Sequence, residues 1–184
     1  MYMNMRGLLE GENLKLTSIR DSDFYSLENW FNDVAFLRHY DIMPATPKSK
    51  KELDELLIYY GDSHERCIYA IREKKEDKII GVAGFDNIVW TSGVATVFIG
   101  IGESAFRGKG YGKEALSLLL DFGFNELNFH RIQLNVISYN LNAIRLYEGL
   151  GFVKEGVCRE LVYRDGKRYD LYQYGLLKPE WCKA

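Results

Sequence analysis

Alternation of apolar and polar residues predicts seven β-strands along the chain. The first begins at Leu14, three follow between residues 67 and 101, and a fifth covers residues 131–137. Two closing strands flank Asp165-Gly166, a residue pair typical of a two-residue hairpin turn. Short polar turns join the middle three strands, so we expect those strands to form antiparallel hairpins.

Apolar residues at helical spacing predict two helices before the second strand and one after each of the fourth and fifth strands. Residues 21–23 offer N-cap side chains for the first helix, and residues 49–52 have the capping-box pattern for the second. Residues 34–48 contain two prolines and are expected to be irregular. The later helices are expected over about residues 110–127 and 140–149.

The resulting order of elements is β-α-α-β-β-β-α-β-α-β-β, with no repeat, low-complexity tract or linker. The length of 184 residues fits a single domain, here residues 1–184. We therefore predict an α/β (α+β) fold, with a mixed, mostly antiparallel seven-stranded sheet flanked by helices. The sheet should contain at least one parallel crossover, because a helix separates the fourth and fifth strands.

Charge and cysteine content exclude several classes of protein. The 24 basic and 26 acidic residues leave a formal net charge of −2, which argues against a general nucleic-acid binder. Cys67, Cys158 and Cys182 are odd in number and form no C-x-x-C pair, so neither a disulfide framework nor a zinc site is expected. No apolar run is typical of a signal peptide or a membrane span. A cytoplasmic protein without a membrane or metal partner is the expectation.

A glycine-rich turn joins the fourth strand to the long helix. The first turn of a helix has unpaired N–H groups and a partial positive charge, so it attracts phosphate. Gly108, Gly110 and Gly112 would let the main chain approach phosphate oxygens. Arg107 and Lys109 add positive charge at the same place. The turn is therefore a candidate phosphate site.

Other interpretations of this turn stay open, although two phosphate motifs fit poorly. The glycines would serve equally well to turn the chain in an ordinary flexible loop. Residues 100–105 and 110–115 both fit G-x-G-x-x-A, but a Rossmann site needs its glycines after the first strand and an acidic residue ending the next. The G-x-x-x-x-G-K-[ST] pattern of a P-loop is absent.

The short helix after the fifth strand presents a second candidate surface. Asn140 is suited to cap it, and Gly149 or Gly151 to end it. Asn140 and Tyr147 are seven residues apart, so they share one face of the helix about 10 Å apart along its axis. An amide and a phenol so placed can hold an extended polar ligand. The simpler alternative is that Asn140 only caps the helix and Tyr147 only packs.

Together, the two segments resemble the GNAT superfamily of N-acetyltransferases. Residues 107–112, R-G-K-G-Y-G, resemble its R/Q-x-x-G-x-G/A acetyl-CoA loop. Residues 140–152, N-L-N-A-I-R-L-Y-E-G-L-G-F, resemble its later motif N-x-x-A-I-x-L-Y-E-K-x-G-F. The resemblance covers nearly the whole chain, and the order of strands is GNAT-like. Residues 14–16, residues 129–132 and the closing hairpin are similar to the branch with ribosomal-protein N-terminal acetyltransferases and bacterial spermidine acetyltransferases.

This resemblance implies a set of residues that bind acetyl-CoA as cosubstrate. Main-chain N–H groups of residues 107–112 would bind the pyrophosphate, and the open edge of the fourth strand would pair with the pantetheine amides. Asn140 would bond the pantetheine arm, and Tyr147 would reach the thioester sulfur. The implied set is Ile99, Gly100, Ile101, Arg107, Gly108, Lys109, Gly110, Tyr111, Gly112, Asn140, Ala143 and Tyr147.

The expected reaction is direct attack of a neutral primary amine on the thioester, with Tyr147 as general acid toward the departing thiolate. The general base is left open among Glu103, His130 and a water chain, and Asn135 is unassigned. Two other classes of function stay as alternatives. One is a non-catalytic acetyl-CoA sensor, and the other is a nucleotide-dependent oxidoreductase.

The resemblance places the acceptor amine between the N-terminal helices and the closing hairpin. Acidic and aromatic residues of this region suit a cationic amine, but scattered surface acids explain them equally well: Trp30, Asp33, Tyr40, Asp41, Asp62, Tyr163 and Tyr169. The paired acids of the spermidine enzymes are replaced here by Asp41-Ile42-Met43-Pro44. A protein N-terminus, a polyamine and a small amine therefore all stay open, and a homodimer is compatible with the resemblance.

Overall fold

All seven predicted strands are present and belong to one sheet. The structure is a computed structural model that describes residues 7–61 and 64–181. Cys182 and Asp62 lie outside the described residues. The strands are β1 (Leu14–Thr17), β2 (Cys67–Glu73), β3 (Lys78–Val89), β4 (Val94–Ile101), β5 (Arg131–Ile137), β6 (Val153–Arg164) and β7 (Lys167–Leu177).

Neighbouring strands run antiparallel except at one place in the sheet. The order across the sheet is β1-β2-β3-β4-β5-β7-β6, and β4 and β5 form the parallel pair. At the β6–β7 turn, Asp165 (φ 51°) and Gly166 (φ 73°) have the left-handed backbone of a type I′ hairpin, with Arg164 opposite Lys167. The predicted mixed, mostly antiparallel sheet with one parallel crossover is confirmed.

Four helices match the predicted ones, and two more are present in the described residues. The helices are α1 (Phe24–Asn32), α2 (Val34–Tyr40), α3 (Lys50–Gly61), α4 (Tyr111–Asn125), α5 (Leu141–Glu148) and α6 (Lys178–Trp181). The capping box at α3 is confirmed, because the Ser49 N–H donates to Glu52 Oε2 (2.8 Å) and the Glu52 N–H donates to Ser49 Oγ (3.3 Å).

Residues 34–40 form α2, so the prediction that residues 34–48 are irregular is wrong for this part. Asp33 Oδ1 accepts the N–H of Ala35 at 2.8 Å, which caps the helix. Phe36 and Leu37 are buried against the other N-terminal helices. Both prolines come after the helix has ended, so they do not interrupt it.

The predicted N-cap at residues 21–23 is also wrong. These residues form one turn of 3₁₀ helix, and no side chain caps α1. Asp23 is instead buried, and its carboxylate accepts two hydrogen bonds from Arg72 of β2, at 3.1 and 2.7 Å. It also accepts the N–H of Arg20 at 2.8 Å. The buried ion pair satisfies both charges and joins the N-terminal helices to the sheet.

Each face of the sheet has its own apolar core. On one face, α4 contributes Leu116, Leu119 and Phe124, which are fully buried in the larger core. On the other face, α1, α2 and α3 pack over β2 and β3, with Leu27 and Leu53 among the buried residues. The N-terminal helices therefore cover one half of the sheet and stop near β4.

Candidate active site

A gap opens between β4 and β5 after the first three residues of their ladder. The last paired residues are Thr96 and Gln133. Beyond them, β4 stays paired with β3 as far as Ile101, and β5 stays paired with β7 as far as Ile137. Within the described residues, the edge of β4 over residues 97–101 therefore has no strand partner on this side. Such an edge can pair with the amides of an extended ligand.

The glycine-rich turn ends at the N-terminus of α4. Gly108 (φ 71°) and Gly110 (φ 90°) have left-handed backbones, and a Cβ built on either would meet nothing within 4 Å. Gly110 is the N-cap residue of α4, and no side chain caps the helix. Tyr111 begins the helix and packs edge-on against Phe106, with ring centroids 5.1 Å apart. The start of α4 thus has no side-chain cap and open space beside its glycines, so its first N–H groups can bind an anion.

Arg107 and Lys109 have different surroundings in this turn. The Arg107 guanidinium donates to the main-chain carbonyl of Ile101 (2.8 Å) and to that of Gly102 (2.7 Å). It therefore holds the turn against the end of β4 while its charge stays beside the helix N-terminus. Lys109 is exposed and makes no ion pair within the part of the chain that the structure describes. Its ammonium group is available to a ligand.

Three elements meet where the gap ends. A Cβ built on Gly112 of α4 would lie 3.7 Å from Cδ2 of Leu146 on α5 and 3.8 Å from Cγ1 of Ile101 on β4. Ile99 packs against the larger core, half-buried. Gly100 lies toward the opposite face, where its Cβ would be 2.7 Å from the ring of Tyr40. The turn, the open β4 edge and α5 thus form one continuous surface.

Asn140 caps α5 and also joins that helix to α2. Its Oδ1 accepts the N–H of Ala143 at 3.4 Å, and its Nδ2 donates to the carbonyl of His39 at 3.2 Å. The neighbouring Tyr139 hydroxyl donates to the carbonyl of Arg38. Ala143 is half-buried against the larger core. The predicted cap is confirmed, and the contact of Asn140 with pantetheine stays a prediction.

Tyr147 is buried on α5, with 8% of its surface exposed. Its ring packs against Phe152 with centroids 5.9 Å apart. Burial raises the pKa of its hydroxyl to about 12. No hydrogen bond to that hydroxyl is present among residues 7–61 and 64–181, and its oxygen is not among the fully buried side-chain atoms without a partner, so it is open to solvent at the surface of α5. Tyr147 is thus a protonated donor with a free hydrogen bond.

The two side chains considered as general base, Glu103 and His130, and the unassigned Asn135 lie in three different environments. Glu103 accepts a hydrogen bond from the Trp30 indole (3.3 Å) and pairs with Lys78 (3.0 Å), so its carboxylate already has partners. His130 precedes β5 beside Val94, seven residues from the end of β4, a distance of about 23 Å at 3.3 Å per residue. Asn135 is exposed on β5 beyond its ladder with β4. Of the two candidate bases, Glu103 is therefore the one close to the end of β4.

The N-terminal helices rest directly on the end of β4. A Cβ built on Gly102 would lie 2.0 Å from the indole of Trp30, and one on Gly100 would lie 3.0 Å from Phe36. Tyr40 stacks on Phe36 with ring centroids 5.1 Å apart. Trp30 and Tyr40, which the resemblance assigned to the acceptor region, thus cover the end of β4 on the side opposite α4.

A cleft of about 390 Å³ lies between α2 and the β6–β7 hairpin. Apolar and charged side chains line it together: Val34, Arg38, Ile42, Pro44, Ala45, Leu161, Val162, Tyr163, Arg164 and Asp165. Arg38 forms an ion pair with Asp165 across it. Arg164 Nη2 donates to the main-chain carbonyls of Asp41 (2.9 Å) and Met43 (3.0 Å). The cleft occupies the predicted acceptor region.

The other residues predicted for the acceptor have separate environments. Asp33 caps α2, and Asp41 Oδ1 accepts the N–H of Met43 at 3.2 Å. Tyr163 is exposed on the wall of the cleft. Tyr169 packs edge-on against Tyr139, with centroids 4.9 Å apart. Of this set, only Tyr163 lines the cleft with its side chain.

Sequence reasoning missed Arg38, Arg164 and Asp165 as residues of the site. Arg38 lies in the segment expected to be irregular, Asp165 was assigned only to a hairpin turn, and Arg164 only to the strand before that turn. Basic residues beside a strong D-G turn were the available signal. That signal did not indicate which distant helix the hairpin contacts.

The described residues contain neither a cluster of metal ligands nor a membrane-spanning helix. No group of three or more His, Cys, Asp or Glu side chains in residues 7–61 and 64–181 is placed to hold a metal ion. None of the helices over the same residues is long and apolar enough to cross a membrane.

Residues 13–153 match a protein-family model described as an acetyltransferase (GNAT) domain. An uncharacterized N-acetyltransferase p20 of Bacillus licheniformis is 30% identical, over 93% of this chain and 96% of its own length. A spermidine N(1)-acetyltransferase of Vibrio cholerae is 28% identical, over 91% of this chain and 95% of its own. An Escherichia coli ribosomal protein uS5-alanine N-acetyltransferase is 33% identical over 61% of this chain and 58% of its own.

Solved structures share the fold. A crystal structure of spermidine N-acetyltransferase from Vibrio cholerae, in complex with CoA and spermine, superimposes with a TM-score of 0.85. It covers 94% of this chain and 99% of that chain at 24% sequence identity. At this identity the likeness establishes the mixed α/β architecture.

Proposed function

The chain belongs to the acetyltransferase (GNAT) domain family, and on that premise we propose how its residues acetylate an amine. It is an acetyl-CoA-dependent N-acetyltransferase, as the family match and the named N-acetyltransferase relatives show. The roles of individual residues and the chemistry of the acceptor are the proposal.

The diphosphate of the cosubstrate binds at the start of α4 in this proposal. Gly108 and Gly110 leave the surface free of side chains, and the N–H groups of the uncapped helix supply donors. Lys109 supplies a charge, and Arg107 fixes the turn to β4. The open edge of residues 97–101 suits an extended chain of amides. These features fit acetyl-CoA.

Acetyl-CoA supplies the acetyl group as a thioester. Tyr147 keeps its proton to high pH, because burial raises the pKa of its hydroxyl to about 12. Its free O–H is the group we assign to donate a proton to the departing sulfur. The β4 edge positions the acyl group through its main-chain N–H groups, and alignment with the amine supplies much of the rate acceleration.

No side chain is assigned as general base. Glu103 is neutralised by Lys78 and bonded to Trp30, so it is a poor base for an ammonium group. A primary amine that enters in its neutral form needs no strong base at the site. The amine can lose its proton to water in the open cleft beside α2, and we prefer this route to proton transfer to Glu103.

The acceptor in this proposal is a primary amine that enters from the side of α2 and the β6–β7 hairpin. The relatives named for spermidine and for a ribosomal-protein alanine show that amines of both kinds occur as substrates in the family. We also propose a reducing compartment such as the cytoplasm, since Cys67 and Cys158 are free thiols.

The observation that carries the proposal is the meeting of the β4 edge, the uncapped α4 N-terminus and α5 at Ile101, Gly112 and Leu146. Thiol release from acetyl-CoA, measured with a panel of peptides, polyamines and small amines, tests it. We expect release with at least one primary amine and none with a tertiary amine. Acetyl-CoA binding without release for any amine would favour the sensor alternative.

A further inference from the structure

One of the residues that line the cleft between α2 and the β6–β7 hairpin, Arg164, has a guanidinium nitrogen without a partner among residues 7–61 and 64–181. Arg164 Nη1 is buried and has no hydrogen-bond partner among the described residues, whereas Nη2 of the same side chain donates to two carbonyls. A buried charged donor without a partner is costly to keep. An acceptor oxygen from a ligand would remove that cost.

The cleft also has an excess of positive charge. Its lining has two arginines and one carboxylate, Asp165, which pairs with Arg38 and also attracts the charge of Arg164. Within the part of the chain that the structure describes, Arg164 forms no ion pair and donates instead to main-chain carbonyls. Lys167 and Arg168 are two exposed cations next to the turn of the same hairpin, whose strands also carry the acids Glu160 and Asp170 farther from the turn. A polyamine, with several positive charges, would be repelled from this surface, while a carboxylate would be attracted.

Exposed apolar side chains surround the charged residues. Val34, Ile42 and Met43 are exposed on the α2 side, and Leu161 and Tyr163 are exposed on the hairpin, each between 44% and 62%. A small amine would cover only part of such a surface. A peptide chain can pack apolar side chains on it and still place an oxygen near Arg164.

Taken together, and resting on the function proposed above, the geometry points to an acidic peptide as the acceptor, with a carboxylate of its downstream segment bound by Arg164. The peptide's N-terminal amine reacts at the end of β4, and its following residues lie in the cleft. Arg164 is therefore a residue that determines specificity and not a catalytic residue.

The position of the cleft predicts where the carboxylate falls in the peptide. Phe36 and Tyr40 of α2 face Gly100 of β4, and Val34 and Arg38 line the cleft. At 100° per residue these two pairs lie on opposite sides of the helix, about 10 Å apart. An extended chain of about 3.3 Å per residue needs at least about three residues to cover that distance. The carboxylate should thus follow the amine by three residues or more.

The test uses octapeptides with a free N-terminal alanine and a single glutamate at position 2, 4 or 6. Each is matched to a peptide with glutamine at the same position. Thiol release at limiting peptide gives kcat/KM. We expect glutamate at position 4 or 6 to raise kcat/KM by about tenfold over glutamine, and glutamate at position 2 to have less effect.

Two protein variants assign the effect to the cleft. Arg164→Gln should abolish the preference for glutamate, and Arg159→Gln, which removes an exposed charge of β6 outside the cleft lining, should keep it. If Arg164→Gln folds poorly, the rates of the glutamate and glutamine peptides with the unaltered protein still test the proposal. Equal rates for glutamate and glutamine peptides, or spermidine as the better substrate, would overturn the proposal.

Fluorescence anisotropy of a labelled position-4 peptide with saturating CoA gives a readout that needs no turnover. Tighter binding of the glutamate peptide than of its glutamine match supports the cleft assignment even if no amine is acetylated. Equal binding refutes that assignment. If the glutamate peptide binds selectively but no amine gives thiol release, the proposed function is contradicted while the peptide-binding site is still supported.

Discussion

The turn before α4 and the cleft beside α2 are built from different kinds of group. The turn offers main-chain N–H groups, and its glycines keep side chains away from them. The cleft offers side chains, with Arg38 paired to Asp165 and Arg164 bonded to distant carbonyls. A substitution in the cleft changes the groups that a ligand would contact. Most substitutions in the turn leave its main-chain N–H groups in place.

If the turn binds acetyl-CoA and the cleft binds the amine, as proposed, this difference explains how one fold can keep one acyl donor and accept different amines. Main-chain donors at a helix N-terminus suit any chain that keeps the turn's backbone angles. A cleft made of side chains can exchange acidic, basic and apolar groups without altering the sheet. The relatives named for spermidine and for a ribosomal protein are consistent with such a division.

The largest expected effect is a loss of kcat when the Tyr147 hydroxyl is removed. Tyr147→Phe should lower kcat by about 100-fold and leave acetyl-CoA affinity almost unchanged, because only proton donation is lost. Rapid-mix thiol release and a binding titration measure the two quantities. Tyr174→Phe is the matched control, since Tyr174 is also buried in the larger core but bonds to Glu148. Equal kcat for both variants would show that Tyr147 only packs.

A smaller effect, on stability, is expected where α1 packs against the end of β4. Gly102→Ala would put a Cβ 2.0 Å from the indole of Trp30, a buried ring that cannot move away cheaply. We expect about 1–3 kcal/mol lower free energy of unfolding, measured with urea. Gly112→Ala, whose nearest neighbour would be 3.7 Å away, should not lower it. Equal stability of the two variants would contradict the tight packing of α1 on β4.

Substitution of two glycines with similar backbone angles, one in the turn and one in the hairpin, tests the two regions separately. Gly110 (φ 90°) lies in the turn and Gly166 (φ 73°) in the hairpin, and neither has a neighbour within 4 Å of its Cβ position. Alanine at either site is strained by about 1 kcal/mol or more. Gly110→Ala should raise the KM for acetyl-CoA by about tenfold, and Gly166→Ala should alter only the KM for the amine. The reverse pattern in steady-state kinetics would refute the division.

The smallest effect concerns pH. Burial raises the pKa of Tyr147 to about 12, so the phenol keeps its proton at ordinary pH. The contribution of the neutral phenol to the free energy of unfolding is lost only as the pH rises above about 10, the pKa in the unfolded chain. Ionisation of Tyr147 should therefore lower kcat by less than about 10% up to pH 10.5. A downturn in the kcat profile near pH 9 to 10, absent in Tyr147→Phe, would show that the phenol is not shielded as described.

Local patterns made much of the fold predictable. The capping box of α3, the Asn140 cap of α5 and the D-G hairpin each involve residues close together in sequence, and all three are confirmed. α2 was missed because seven residues show little periodicity and nearby prolines suggested a loop. Asp23 was misassigned because its partner, Arg72, is 49 residues away.

The same limit applies to the site. The turn and α5 were recognisable because their residues lie within short segments with fixed spacing. The cleft depends on contacts such as Arg38 with Asp165, which are 127 positions apart. No spacing rule connects them, since the sheet order that brings β6 and β7 beside β5 determines the contact.

The central claim is that main-chain N–H groups at the start of α4 bind the diphosphate. Backbone amide NMR shifts of Gly108, Gly110, Tyr111 and Gly112 measure it most directly during titration with CoA and, separately, with pantetheine. The account predicts large shifts at these amides with CoA and small ones with pantetheine, which has no diphosphate. Unchanged shifts at saturating CoA would contradict it.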